Sequence, residues 1–167
     1  MRKVIVGVIG GGKASKKDKG YAYEIGALIA REGWVLLNGG RSAGIMESSS
    51  RGCKEHGGIT VGVLPGKESD ETSKYIDIQI LTGMGNARNA IIVLSSDVII
   101  ACRGGAGTIS EIALALKGKK KVVLLDFDVD VIFEDYKREG LLFKATSPKE
   151  AITIARNILS FSKELQE

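Results

Sequence analysis

The residues best placed to do chemistry lie between 103 and 111: Arg103, Gly104, Gly105, Ala106, Gly107, Thr108, Ile109, Ser110 and Glu111. An apolar run, residues 99–102, precedes them, and an apolar helical pattern, residues 112–116, follows. Glycines strip such a loop of side chains, so backbone N–H groups can approach a ligand closely. The start of the following helix adds unpaired N–H groups and the positive end of its dipole. The combination predicts a site for phosphate or another oxyanion at the Gly104, Gly105 and Gly107 loop, with Thr108 able to donate to it or to cap the helix. A phosphate does not require Glu111. A carboxylate about one turn into the helix raises the question of catalysis, although the Thr108–Glu111 spacing is also that of a helix capping box. The sequence leaves both roles open.

Three further joins carry similar features. Gly10, Gly11, Gly12 and Lys13 follow an apolar run, and the segment fits GxxxxGK, but Ala14 stands where a nucleotide triphosphatase needs Ser or Thr for magnesium. An NTPase is rejected. What remains is a tight turn whose Gly11 and Gly12 amides, with Lys13, can touch a ligand or merely connect two elements. Gly39 and Gly40 precede Arg41, whose guanidinium fork suits phosphate. Arg88 falls among small and apolar residues of a helical pattern, where its permanent charge demands a partner, either a carboxylate or a ligand.

These joins must be positioned by the elements around them. Strand-like runs occupy residues 4–9, 34–37, 59–64, 76–81, 97–102 and 122–125, the fourth with the alternation of an edge strand. Helical patterns occupy 21–31, 45–55, 84–94 and 110–117. Ser147, Pro148 and Glu150 announce a last helix, with Ser as cap and Pro at the first position. Residues 127–146 give no assignable pattern. Apolar strands alternating with helices predict an α/β fold: a doubly wound, mostly parallel, Rossmann-like sheet with helices on both faces, forming one domain over residues 1–167. Such sheets bind ligands beyond the carboxyl ends of their strands, which is where the glycine clusters fall.

Composition narrows the function classes. At 44% hydrophobic and 26% charged residues, the chain reads as an ordinary globular protein. No apolar run reaches membrane-span length and no signal-peptide pattern opens the chain, so the expectation is a cytoplasmic protein without membrane contact. Two distant cysteines, Cys53 and Cys102, and a lone histidine, His56, argue against a Cys/His metal site and a Ser-His-Asp triad. No metal and no cofactor is expected. Net charge is +4 but aromatics are only 5%, which suits a small anionic ligand better than nucleic acid.

The run from Gly39 to Met46, then Met84 with Arg88, then the GGxGTxxE element from Gly104 to Glu111, resembles the LOG-type proteins of the SLOG superfamily. The likeness spans roughly residues 2–126. It implies a Rossmann-like fold, a homodimer or higher homo-oligomer, and phosphoribohydrolase activity: cleavage of the N-glycosidic bond of nucleoside 5′-monophosphates. It implies that Arg88 and Glu111 form the catalytic pair and that the glycine loop holds the 5′-phosphate. The lysine decarboxylase label attached to this group is discounted, since no lysine sits in a context suited to pyridoxal phosphate. Two departures stand out: Arg103 where the enzymes usually carry Pro, and Arg88-Asn89 where they carry Arg-Lys. In both, the chain resembles a sister group, the molybdenum-cofactor carriers, which bind an anionic pterin without transforming it. Arg103 would suit such a highly charged ligand. The alternative expectation is therefore a non-catalytic carrier or sensor.

Overall fold

The computed structural model describes residues 2–164. Met1 and residues 165–167, the ends of the expected 1–167 unit, lie outside the described residues. Seven strands, β1 (Ile5–Ile9), β2 (Val35–Asn38), β3 (Ile59–Leu64), β4 (Ile78–Leu81), β5 (Val98–Ala101), β6 (Val122–Leu125) and β7 (Leu142–Ala145), form one sheet in the order β4-β3-β2-β1-β5-β6-β7. Every pairing is parallel. The α/β, doubly wound expectation is met. β2, β5 and β6 are buried at every position, as strands covered on both faces must be.

Six helices cover the faces: α1 (Lys16–Arg31), α2 (Gly44–Glu55), α3 (Asn89–Ser95), α4 (Ala106–Lys117), α5 (Glu134–Arg138) and α6 (Pro148–Glu164). On one face Ile25, Ile29, Ile45, Ala151 and Ile158 pack with Val6, Val8 and Ile100 of the sheet. On the other, Ile92, Ile112, Leu116 and Phe133 pack with Ile9, Ile99 and Leu124. Each such aliphatic side chain removed from water contributes about 1.5–3 kcal/mol. α1 and α2 approach closely because Gly26 and Gly52 lack side chains: a Cβ at Gly26 would overlap the Ser49 carbonyl, and one at Gly52 the Tyr23 carbonyl.

Several boundaries differ from the sequence reading. α1 begins at Lys16, capped by Ser15, whose hydroxyl accepts from the Asp18 amide at 3.1 Å. Its first turn is polar and shows no apolar period, although Ser15 followed by Asp18 was a usable signal. The helix expected over residues 84–94 is two pieces, a 3-10 turn (Gly85–Arg88) and then α3. Residues 127–146 hold a second 3-10 turn (Asp130–Phe133), α5 and β7. These are too short and too charged for periodicity to reveal. β4 is exposed at all four positions, in keeping with an edge strand.

The order of the sheet sets the site. β1 lies between β2 and β5, so the chain winds outward in opposite senses from the β1/β5 seam. A crevice opens there beyond the strand ends. The Gly11 amide donates to the Arg103 carbonyl at 3.1 Å, and the Cys102 amide to the Ile9 carbonyl at 2.8 Å, which ties the two glycine loops side by side.

Candidate functional site

At that crevice lies a cavity of about 200 Å³. Its walls are the β1 loop (Gly10, Gly11, Gly12), Gly39 and Met46 beyond β2, Asn86, Arg88 and Asn89 before and on α3, and Gly105, Gly107, Thr108 and Glu111 on α4. Arg88 and Glu111, far apart in sequence, thus face one space.

The glycines divide by what stands behind them. A Cβ on Gly39 would overlap the Arg88 guanidinium, and one on Gly104 would overlap the Thr108 hydroxyl. Those two are bare because the Arg88 and Thr108 side chains approach them. Gly105 and Gly107 would meet no protein atom within 4 Å, and Gly12 only ordinary contact with Ala43 at 3.9 Å. Neither packing nor backbone twist requires glycine at 105 or 107, since neither φ is positive. Both border the cavity.

α4 begins at Ala106 with Gly105 as its cap, and no side chain bonds that end. This resolves the ambiguity over Thr108 and Glu111: both lie inside the helix, and neither forms a capping box. Thr108, Arg88 and Glu111 are 3%, 8% and 8% exposed. Arg88 spends one nitrogen on the Val63 carbonyl, Nη1 donating at 2.6 Å, while its Nε is buried and unbonded. Among the described residues, nothing bonds the Thr108 hydroxyl or the Glu111 carboxylate, and no direct ion pair joins Arg88 to Glu111. Unspent polar groups under a protein surface cost about 1–3 kcal/mol each, so their convergence on one space calls for a ligand or solvent there.

The electrostatics follow. Burial pushes the Glu111 carboxyl up from its ordinary 4.5 to about 7, against the opposing pull of Arg88. Burial also lowers the Arg88 guanidinium, with Glu111 raising it and Arg41 lowering it further, though an arginine keeps its charge. Glu111 can therefore hold or give up a proton near neutrality beside a fixed positive charge, which is the range a general acid or base requires.

Other residues singled out in the sequence lie elsewhere. Arg41 pairs with Glu71, its Nη2 donating at 3.3 Å and its Nε lying 2.9 Å from the other carboxylate oxygen without a hydrogen bond. Gly40, at φ +72°, turns the chain against Gly62 and Leu64. Arg103 donates to the Asp126 carbonyl at 3.0 Å. With Lys13, Gly104 and Gly105 it borders a separate outer recess on the far side of the loops. The sequence reading missed Met46, Asn86 and Asn89 as wall residues. Asn89 carried a signal, as the position where this chain departs from Arg-Lys.

A molybdenum cofactor binding protein from Rippkaea orientalis superposes with a TM-score of 0.89 at 49% identity, covering 95% of this chain and 99% of that one. The molybdenum cofactor carrier protein of Chlamydomonas reinhardtii gives 0.89 at 44% identity with the same coverage. A cytokinin riboside 5′-monophosphate phosphoribohydrolase from Mycobacterium tuberculosis is 36% identical over 96 residues, 54% of this chain and 50% of that one. The glycine joins, Arg88 and Glu111 all lie within residues 3–152, the stretch matched by the SLOG cluster4 profile, and the chain belongs to the SLOG cluster4 family.

Proposed function

We propose that the protein binds a phosphorylated small molecule in the β1/β5 cavity and holds it as cargo, in the manner of a molybdenum-cofactor carrier. The observation that carries this reading is the pairing of bare walls with unspent donors. Gly105 and Gly107 leave space no protein atom fills, while the uncapped start of α4 and the unbonded Thr108 hydroxyl border it beside the charge of Arg88. A phosphate monoester supplies the acceptors those groups lack. The amides of Asn86 and Asn89 can both donate and accept, as the ring edge of a pterin or a nucleobase requires. Near-complete coverage of carriers at 44–49% identity supports the cargo role over the half-length likeness to the hydrolase.

A second reading rests on Glu111. A carboxylate poised near neutrality beside Arg88 suits cleavage of a nucleoside 5′-monophosphate, in which water adds to C1′ of the ribose, the base departs, and ribose 5-phosphate remains. Glu111 would offset the positive charge that develops on the sugar or take the proton of the water.

One experiment separates the two. The protein is incubated with a panel of nucleoside monophosphates and, in parallel, with molybdopterin. The cargo reading expects slowed oxidation of molybdopterin and no ribose 5-phosphate; ribose 5-phosphate from AMP, lost in Glu111→Gln, establishes the hydrolase instead. The proposal extends to a homodimer or higher assembly, supported by Leu94 on α3 and Leu114 on α4, which stand 61% and 43% exposed. Sedimentation velocity of the full chain tests this, and a monomer across micromolar concentrations refutes it. Cys53 and Cys102 are both buried and free, which fits a cytoplasmic setting.

A further inference from the structure

A second open space lies outside the cavity just described, between the N-terminal halves of α1 and α2. It measures about 530 Å³. Three cations border it: Lys16 and Lys19 from α1, and Arg51 from α2. Among the described residues none of the three side chains forms an ion pair or hydrogen bond. Arg51 is nevertheless held in place, its guanidinium 5.0 Å from the centre of the Tyr23 ring, while the Tyr23 hydroxyl donates to Glu55 at 2.7 Å. A stacked guanidinium keeps its N–H groups available for an anion in the ring plane. One carboxylate, Glu47, also borders the space, leaving a local balance of two positive charges.

The floor supplies an independent sign. Gly20 is the fifth residue of α1, inside the helix, where glycine costs about 0.5–1 kcal/mol relative to alanine. Gly26 and Gly52 earn that position by the close approach of α1 to α2. Gly20 does not: a Cβ there would meet no atom within 4 Å, and its φ is ordinary. Gly20 thus shares with Gly107 of the cavity wall a bare helix surface that no protein atom fills, here beside three cations without a hydrogen-bonded partner.

We propose that this α1/α2 groove is a second binding site, for the phosphate group of a small phosphorylated molecule, clasped by Lys16, Lys19 and Arg51 over Gly20. It stands independently of the cargo reading. Ala43 and Gly44, which line the groove, lie against Gly11 and Gly12, which line the main cavity, and the Ile45 amide donates to the Gly11 carbonyl at 3.0 Å. The phosphate could therefore belong to a separate effector or to a distal group of the molecule in the cavity, and the test distinguishes these sources.

Inorganic pyrophosphate is titrated into the full chain by calorimetry, together with the variants Lys19→Ala/Arg51→Ala, Gly20→Ala and Gly107→Ala. The groove expects two classes of site in the wild type. Lys19→Ala/Arg51→Ala should weaken one class at least about tenfold, the loss of one to two charge-assisted hydrogen bonds, and leave the other unchanged. Gly20→Ala, which cannot harm the helix, should weaken the same class. Gly107→Ala should weaken only the other class. If the cavity class is missing while the groove class responds, the cargo reading fails and the groove stands. AMP titrated afterwards separates the sources: two molecules per chain indicate an effector, and one molecule sensitive to variants on both sides indicates a single spanning ligand. A wild type whose binding is indifferent to Lys19→Ala/Arg51→Ala and to Gly20→Ala overturns the proposal.

Discussion

Gly26 and Gly52 line the seam between α1 and α2; Gly105 and Gly107 line the wall of the β1/β5 cavity. The first pair is filled against, each position occupied by the backbone of the facing helix. The second pair faces nothing the protein provides. The charges divide less sharply. Outside the cavity Arg41 is spent on Glu71, Lys17 on Asp126 and Arg156 on Glu32. Inside, Glu111 has no hydrogen-bonded partner at all and Arg88 Nε is unbonded, in residues only 8% exposed; outside, Arg41 Nε and Glu47 Oε2 are buried and unbonded as well. The seam is built for stability, and the cavity keeps its polar groups free at the expense of stability. Composition alone would not separate the two regions, since both are glycine-rich helix surfaces.

The sharpest way to break the comparison is to place the same methyl in each region. Gly26→Ala forces a Cβ into the Ser49 carbonyl, and backbone must move. We expect a loss of about 3 kcal/mol or more, read by chemical denaturation, since overpacking against backbone has no flexible side chain to absorb it. A loss under about 1 kcal/mol would mean the seam is looser than described.

Glu111→Gln comes next, with a pH signature. The folded carboxyl titrates near 7 and the unfolded one near 4.5, so the folded state binds more protons between those values. Stability of the wild type therefore falls as pH rises from about 4.5 to 7 and stays lowered above. Removing the charge should stabilise the protein at pH 8 by up to about 3 kcal/mol, with the difference vanishing below pH 4.5. Melting temperatures of the two proteins across pH 4–8 check this, and parallel curves would refute the raised carboxyl.

Gly107→Ala should have the opposite sign to Gly26→Ala: a gain of about 0.5 kcal/mol in the free protein from helix propensity, with weakened binding of phosphorylated ligands. Differential scanning fluorimetry with and without AMP reads both. The smallest effect is expected from Arg41→Ala, which removes an ion pair that is 41% and 62% exposed at its two side chains. Its cost should lie below about 1 kcal/mol and shrink in high salt.

Legibility followed the physics of each element. Long apolar strands such as residues 97–102 and amphipathic helices announce themselves by burial period, and the parallel, doubly wound sheet follows from their alternation. β7 and α5 did not, because four- and five-residue elements with internal charges carry too little period. The start of α1 was missed because its first turn projects lysines to solvent, although its cap was visible. At the site, glycine spacing made the 103–111 loop readable as an oxyanion cradle. Whether Thr108 and Glu111 cap the helix was undecidable, since that depends on where the helix begins, and a one-turn shift changes which residue is the cap.

The amino-acid order by itself determined the fold class, the glycine joins at strand ends and the family, because these depend on local periodicity and on short contiguous motifs. Only the tertiary structure decided which charges border the cavity. Arg41, Arg88 and Arg103 looked equally able to hold a ligand, yet Arg41 pairs with Glu71 and Arg103 donates to the Asp126 carbonyl, 30 and 23 residues away along the chain, while Arg88, anchored on the Val63 carbonyl, lines the cavity. Pairing across such separations is set by how the sheet winds outward from β1, and no local pattern encodes it. The same winding places Arg88 and Glu111 across one cavity and withdraws them from water. Desolvation then supplies the raised carboxyl that the sequence could not show.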